Sequence, residues 1–204
     1  MKIVKLIPNI LTSARIVLSL IYLLLLNNLY LYSNNRLYLI LAAIVFVLIG
    51  ATDFVDGKIA RKLKITSPLG ALLDVAADFI FIVFSLIMLN MQSMIPIWFI
   101  IMIIAKFTEF IITSHIIRNH QNDSKTLFIF DYFGRVAAVN FFLIPGMVLL
   151  VYVGLNILYI NIFLYITLSL VLISSSARCI HCLKLIKGTK ERKFNVSIVF
   201  NKSL

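Results

Sequence analysis

Three observations predict an all-α membrane protein with six transmembrane helices. Of its 204 residues, 62% are hydrophobic and 13% are charged, and the mean hydropathy is +1.05. So few polar side chains cannot cover a soluble globule. The apolar residues fall into six runs of roughly bilayer length, each of which needs about 20 residues to cross as a helix. Cations also gather in alternate connecting segments. The length suits one domain, with residues 1–187 as a six-helix catalytic unit and 188–204 as a basic tail. No internal repeat or linker divides the chain. A net charge of +11 would suggest nucleic acid in a soluble protein. Here the Lys and Arg residues are scattered along membrane-flanking segments, which points to anionic lipid and away from nucleic acid.

The elements follow in order. Residues 1–8 mix Lys2 and Lys5 with aliphatics and are expected to lie in the membrane interface. The first span is expected from Leu11 to Leu26, with Thr12, Ser13 and Arg15 in its opening turn. A cleaved signal peptide is the rival reading, but Leu23-Leu24-Leu25-Leu26-Asn27-Asn28 lacks the small residues of a cleavage site. The second span, Leu37 to Lys62, exceeds what a bilayer needs, so its last turns should emerge at the surface. Ser67 is a candidate N-cap and Pro68 a first helical residue for the third span, Ser67 to Leu89. The fourth runs from Ile95 to Ile117, the fifth from Phe128 to Val153, and the sixth from Ile157 to Leu183. Pro145-Gly146 within the fifth predicts a kink rather than a break, since lipid does not tolerate exposed irregular backbone.

Orientation follows from the loops. Lys58, Arg61, Lys62 and Lys64 lie between spans two and three, Arg118 and Lys125 between four and five, and a basic run from Lys184 to Lys193 follows span six. The opposite loops hold only Arg36. The positive-inside rule therefore predicts cytoplasmic termini and a cytoplasmic junction between spans two and three.

That junction carries the chemistry. Asp53, Asp56, Asp74 and Asp78 are half of the eight acids in the chain. A charged side chain at the bilayer centre costs roughly 2.5–3.5 kcal/mol even on the lenient insertion scale, so clustered acids call for a cation. On helices, Asp53 and Asp56 share a face, Arg61 sits one turn beyond Gly57, and Gly70, Asp74 and Asp78 form a stripe with a spacing of four. Carboxylates at this density suit a hard divalent ion, Mg2+ or Mn2+, and two ions are expected. A two-metal site suits displacement at phosphorus, with Gly57 allowing close approach and Arg61 offering a forked phosphate donor. In the plainer reading, the aspartates form salt bridges with Lys58, Arg61 and Lys62, which would not call for the glycines.

This pattern resembles that of the CDP-alcohol phosphatidyltransferases. Their motif D-x2-D-G-x2-A-R-x8-G-x3-D-x3-D is matched at all eight fixed positions, by Asp53, Asp56, Gly57, Ala60, Arg61, Gly70, Asp74 and Asp78. The resemblance implies a six-helix enzyme, usually a homodimer, that transfers a phosphatidyl group from CDP-diacylglycerol to an alcohol and releases CMP. It also implies that the four aspartates hold the metals and that Asp78 is the candidate base. Asp53, Gly57, Ala60, Arg61 and Gly70 would meet the CDP moiety.

The run from Pro8 to Arg15 is similar to the P-N-x-L-T-x-x-R opening of the phosphatidylglycerophosphate synthase branch, which makes glycerol 3-phosphate the first acceptor expected. Inositol phosphate and phosphatidylglycerol are the alternatives. The family's G-K-x-K-T element is reduced here to Gly134-Arg135-Val136-Ala137-Ala138. Arg135, Arg15 and Arg118 are the candidate acceptor ligands, with Lys125 and Arg178 weaker; alternatively Arg15 snorkels to lipid phosphate. Lys106 with Glu109, and Asp131 with Arg135, are at spacings that allow mutual pairing. Cys179 and Cys182 form a lone C-x2-C, a weak zinc signal better read as packing. Two other classes also use membrane acids. A prenyltransferase would not need the Gly57-Ala60-Arg61-Gly70 frame, and a cation transporter would place its carboxylates near mid-bilayer.

Overall fold

The computed structural model describes the backbone of residues 2–32, 35–63, 68–121 and 132–201, and the side chains of 13–32, 35–54, 70, 72–119 and 132–186. Among these residues there are six helices and no strand: α1 (Lys2–Leu31), α2 (Arg36–Leu63), α3 (Pro68–Met91), α4 (Ile97–Gln121), α5 (Tyr132–Val151) and α6 (Ile157–Asn201). Each contains an apolar stretch of 19 to 30 residues, long enough to cross a bilayer. The chain is an integral membrane protein.

Short connections lead from α3 to α4 and from α5 to α6. α1 packs along both α2 and α3, α5 lies against α6, and α4 meets α6 and α3. Large apolar side chains such as Leu24, Val47, Phe84 and Tyr165 remain exposed on the outer faces, as expected where lipid is the solvent. The interior is fixed by aromatic packing among four helices. Tyr22 of α1 is fully buried, with its ring 6.0 Å from Phe46 of α2 and 5.5 Å from Phe81 of α3. Phe46 in turn stacks on Phe142 of α5 at 5.2 Å. The Tyr22 hydroxyl donates to the Pro145 carbonyl at 2.9 Å, so its polar end is satisfied inside an apolar core.

α5 passes through Pro145 unbroken, in keeping with the expected continuous span. Gly146 explains how α2 and α5 approach there, because a Cβ at that position would overlap the Phe46 ring. Gly146→Ala is therefore expected to overpack the core and lower stability by about 1–3 kcal/mol. Thermal unfolding in detergent checks this, and an unchanged midpoint would show that Phe46 can swing aside.

At the end where α5 meets α6, Gly154 has φ +108° and the Leu155 amide donates to the Leu150 carbonyl at 3.0 Å. This is a Schellman-type stop, which needs a residue tolerant of positive φ.

Two boundaries differ from expectation. Residues 2–8 continue directly into the first span, since α1 runs without interruption from Lys2. No glycine or cluster of turn residues separates them from the span, and lipid-associated helices tolerate a proline such as Pro8. Likewise α6 continues through 188–201 rather than ending near Leu183, because the segment holds no proline and is rich in Lys, Arg and Glu, which favour helix. Ser67, Lys125 and Asp131 lie outside the described residues.

Candidate active site

The end of the bundle where α2 leads into α3 gathers the sequence-predicted aspartates. Asp53 lies on α2, while Gly70, Asp74 and Asp78 occupy successive turns of α3, so the predicted stripe is realised on a continuous helix. Asp74 lies one turn before Asp78 on the same helix. Asp56, Gly57, Ala60 and Arg61 belong to the α2 backbone, and their side chains lie outside the described ones.

Arg15 of α1 reaches into this group. Its Nη2 lies 3.0 Å from Asp53 Oδ1, and its Nη1 donates to Asp78 Oδ1 at 2.9 Å. One guanidinium thus ties three helices together. The arginine is fully buried, so it does not snorkel to lipid, and Asp53 and Asp78 are among its partners. The placement has a local cause: Arg15 begins a buried row at helical spacing, Arg15, Ser19, Tyr22 and Leu26, that faces α2 and α3. Ser19 Oγ donates back to the Arg15 carbonyl at 2.8 Å.

Beside Asp78 opens a cleft of about 200 Å³ between α3, α4 and α5. Phe79, Ile82, Phe107 and Phe141 make its walls largely apolar, Gly134 lies at its α5 edge, and Lys106 is the lysine that lines it together with Asp78. Lys106 pairs with Glu109, as its spacing predicts, at 3.0 Å, and its ammonium also donates to Ser175 Oγ at 3.0 Å. Ser175 Oγ donates to the same Glu109 carboxylate, so this network joins α4 to α6.

One turn further along α6, Arg178 donates from Nε and Nη2 to Thr113 Oγ1 at 2.9 and 2.8 Å and from Nη2 to Ser114 Oγ at 3.0 Å. Its guanidinium carbon lies 5.0 Å from the Phe110 ring centre. Arg178 is therefore engaged in holding α4 to α6. Arg135 is exposed in the first turns of α5 beside the cleft-lining Gly134, and Arg118 is half-buried near the end of α4. Cys182 is buried against the Thr113 carbonyl, and Cys179 is exposed.

The role of Lys106 in the cleft and the clamp through Ser175 and Arg178 were not anticipated. The signal available was Ser174-Ser175-Ser176 followed by Arg178 in an otherwise apolar span, a concentration of polar groups that lipid would not accept without partners.

The donor set fits a hard divalent cation in its chemistry: carboxylate oxygens with no imidazole or thiolate among them. Arg15 shows that Asp53 and Asp78 already converge on a shared positive charge. Among the described residues, no three acidic, histidine or cysteine side chains are grouped closely enough to hold a metal, and Asp56 lies outside the described side chains.

Residues 5–174 match the CDP-alcohol phosphatidyltransferase family. The chain belongs to that family. The matched stretch includes Arg15, all four aspartates and the cleft, and it ends just before Ser175. Two curated relatives of the CDP-alcohol phosphatidyltransferase chain have different names. A cardiolipin synthase (CMP-forming) of Streptomyces coelicolor is 30% identical over 134 residues, which cover 66% of this chain and 60% of the relative. A CDP-diacylglycerol–glycerol-3-phosphate 3-phosphatidyltransferase of Bacillus subtilis is 34% identical over 113 residues, 52% of this chain and 58% of the relative. The chain thus spans about three fifths of the length of these relatives.

Proposed function

We propose that this protein transfers the phosphatidyl group of CDP-diacylglycerol to the hydroxyl of an alcohol, forming one phosphodiester bond, breaking the bond to CMP and releasing CMP. The observation that carries this reading is the convergence, through Arg15, of Asp53 with Asp78, which lines a cleft, in a chain that bears the complete family motif. Asp53, Asp56, Asp74 and Asp78 would hold two Mg2+ or Mn2+ ions. When bound, these supply positive charge that neutralises the diphosphate and favours departure of CMP.

The protein's own groups do the rest. Asp78 faces the cleft and accepts the proton of the attacking hydroxyl. Gly57, Ala60, Arg61 and Gly70, with Asp53, meet the CDP moiety, and Gly70 places no side chain on the stripe where the nucleotide would approach. The active site lies on the cytoplasmic side with both termini, the working enzyme is a homodimer, and the catalytic domain covers 1–187. The asymmetry of basic loops supports that orientation.

Glycerol 3-phosphate is the first acceptor in this reading, on the Pro8-to-Arg15 run and the cation at Arg135. A second acceptor, phosphatidylglycerol, is favoured by one specific feature. The cleft at Asp78 is walled mainly by Phe, Ile and Val, and its Lys106 is already paired with Glu109, which suits a lipid with a single negative charge better than a free dianion.

Purified protein with CDP-diacylglycerol and Mg2+, offered glycerol 3-phosphate, phosphatidylglycerol, inositol phosphate and serine in parallel, is expected to release CMP with one of the first two. Release with none while CDP-lipid still binds would overturn both acceptor assignments. Failure to bind CDP-lipid would overturn the proposed reaction itself.

A further inference from the structure

Arg15 is the most buried charged residue among those described, yet the carboxylates it joins remain open. The side-chain exposure is 1% for Arg15, 51% for Asp53 and 36% for Asp78. The cation therefore holds the pair from inside the bundle, and the outer side of each carboxylate is left accessible. A buried guanidinium without partners would be costly, and so would two neighbouring carboxylates without a cation. Each need meets the other here, through separate nitrogens of one planar fork.

We propose that Arg15 is a tethered cation that shares the charge of Asp53 and Asp78 with any bound metal, so that its ion pairs and divalent-metal binding at those two carboxylates oppose one another. The inference rests on the functional reading above, in which both aspartates are metal ligands, and it gives Arg15 a role the acceptor assignment did not contain. Arg15 is a positioning residue that keeps α1, α2 and α3 gathered at the site while the metal is absent. A metal arriving from the open side meets carboxylates whose Oδ1 atoms already carry the guanidinium, and it must tolerate that positive charge beside it.

Coupling of this kind is reciprocal: whatever the ion pairs contribute to the metal-free state is subtracted from metal affinity. Serial placement on α1 also explains why the group is an arginine. The planar fork presents separate nitrogens to the two carboxylates in one fixed geometry, which a flexible ammonium does not.

The test uses the full chain in detergent and Mn2+ alone, with bound Mn2+ read by electron paramagnetic resonance. Loss of one positive charge next to a divalent site is expected to tighten Mn2+ binding about tenfold or more in Arg15→Gln. The same variant should melt lower than wild type in chelator and show a larger upward shift on adding metal.

Unchanged or weaker Mn2+ binding in a folded Arg15→Gln protein would overturn the proposal, making Arg15 a strut or a group that preorganises the ligands. Should the glutamine variant fail to fold, Arg15→Lys decides. Its ammonium has a shorter reach and lacks the planar fork that holds both Oδ1 atoms in place, so tighter binding than wild type is expected, and equal or weaker binding overturns the proposal. If wild type, Arg15→Gln and Arg15→Lys all bind no Mn2+, the metal site itself fails and the proposal with it. Wild-type binding with no gain in either variant refutes Arg15's role alone.

Discussion

Asp78→Asn is expected to lower kcat by about 10³-fold or more while CDP-diacylglycerol binding and the folded state persist. A positioned general base contributes roughly 10²–10⁴-fold on its own, and this side chain is also a proposed metal ligand, so both contributions are lost together. The fold should survive because the asparagine carbonyl can still accept the hydrogen bond that Arg15 Nη1 now gives to Asp78 at 2.9 Å. The nucleotide's proposed contacts lie elsewhere, on Asp53, Gly57, Ala60, Arg61 and Gly70. Single-turnover measurement of CMP release, beside equilibrium binding of a CDP-lipid, separates these effects. Near-normal turnover would remove Asp78 from the chemistry. Loss of lipid binding in step with turnover would instead make Asp78 a binding residue.

How much of this arrangement could be read from the chain depends on whether the interaction is local. Apolar runs and their polar interruptions dictate six crossings, because lipid accepts no unpaired backbone. The stripe of Gly70, Asp74 and Asp78 needs only a continuous helix, and α3 from Pro68 to Met91 supplies it. Lys106 and Glu109 are three apart and meet as that spacing requires. Arg15 was a different problem. Its partners are 38 and 63 positions away, and nothing in the local pattern of α1 says which neighbour its buried row will face. For the same reason the local pattern does not match Ser175 to Glu109, and it leaves Arg178 looking like a weak acceptor ligand although Thr113 and Ser114 of α4 accept from it. The helix ends were misplaced for a thermodynamic reason. Hydropathy marks where the bilayer stops, but a helix that leaves the bilayer can continue where no proline breaks it, as α6 does through Gly188 to Asn201.

Lys106→Ala should be the most destabilising single change in the α4–α6 contact, by about 3–5 kcal/mol, because it strands a largely buried carboxylate. Glu109 Oε2 would keep the Ser175 hydroxyl as a partner, and a neutral hydroxyl cannot replace an ammonium. Removing both charges tells stability apart from function. In Lys106→Met with Glu109→Leu the volume is roughly kept and no charge is stranded, so stability should return to within about 1–2 kcal/mol of wild type. Ser175 can then turn its hydroxyl to the carbonyl one turn back, as Thr167 and Ser176 do on the same helix at 2.9 and 2.8 Å. The cleft in that double variant would have Asp78 at its rim and no ammonium at position 106. If the acceptor's negative charge sits against Lys106, its KM should rise about tenfold or more, the loss of one charge-assisted contact, while KM for CDP-diacylglycerol stays near wild type. Thermal unfolding together with acceptor and donor titrations gives both answers from one preparation. A stable double variant with an unchanged acceptor KM would mean that Lys106 serves only to join α4 to α6, and the acceptor's charge would then have to be met from the α5 side, where Arg135 stands next to Gly134.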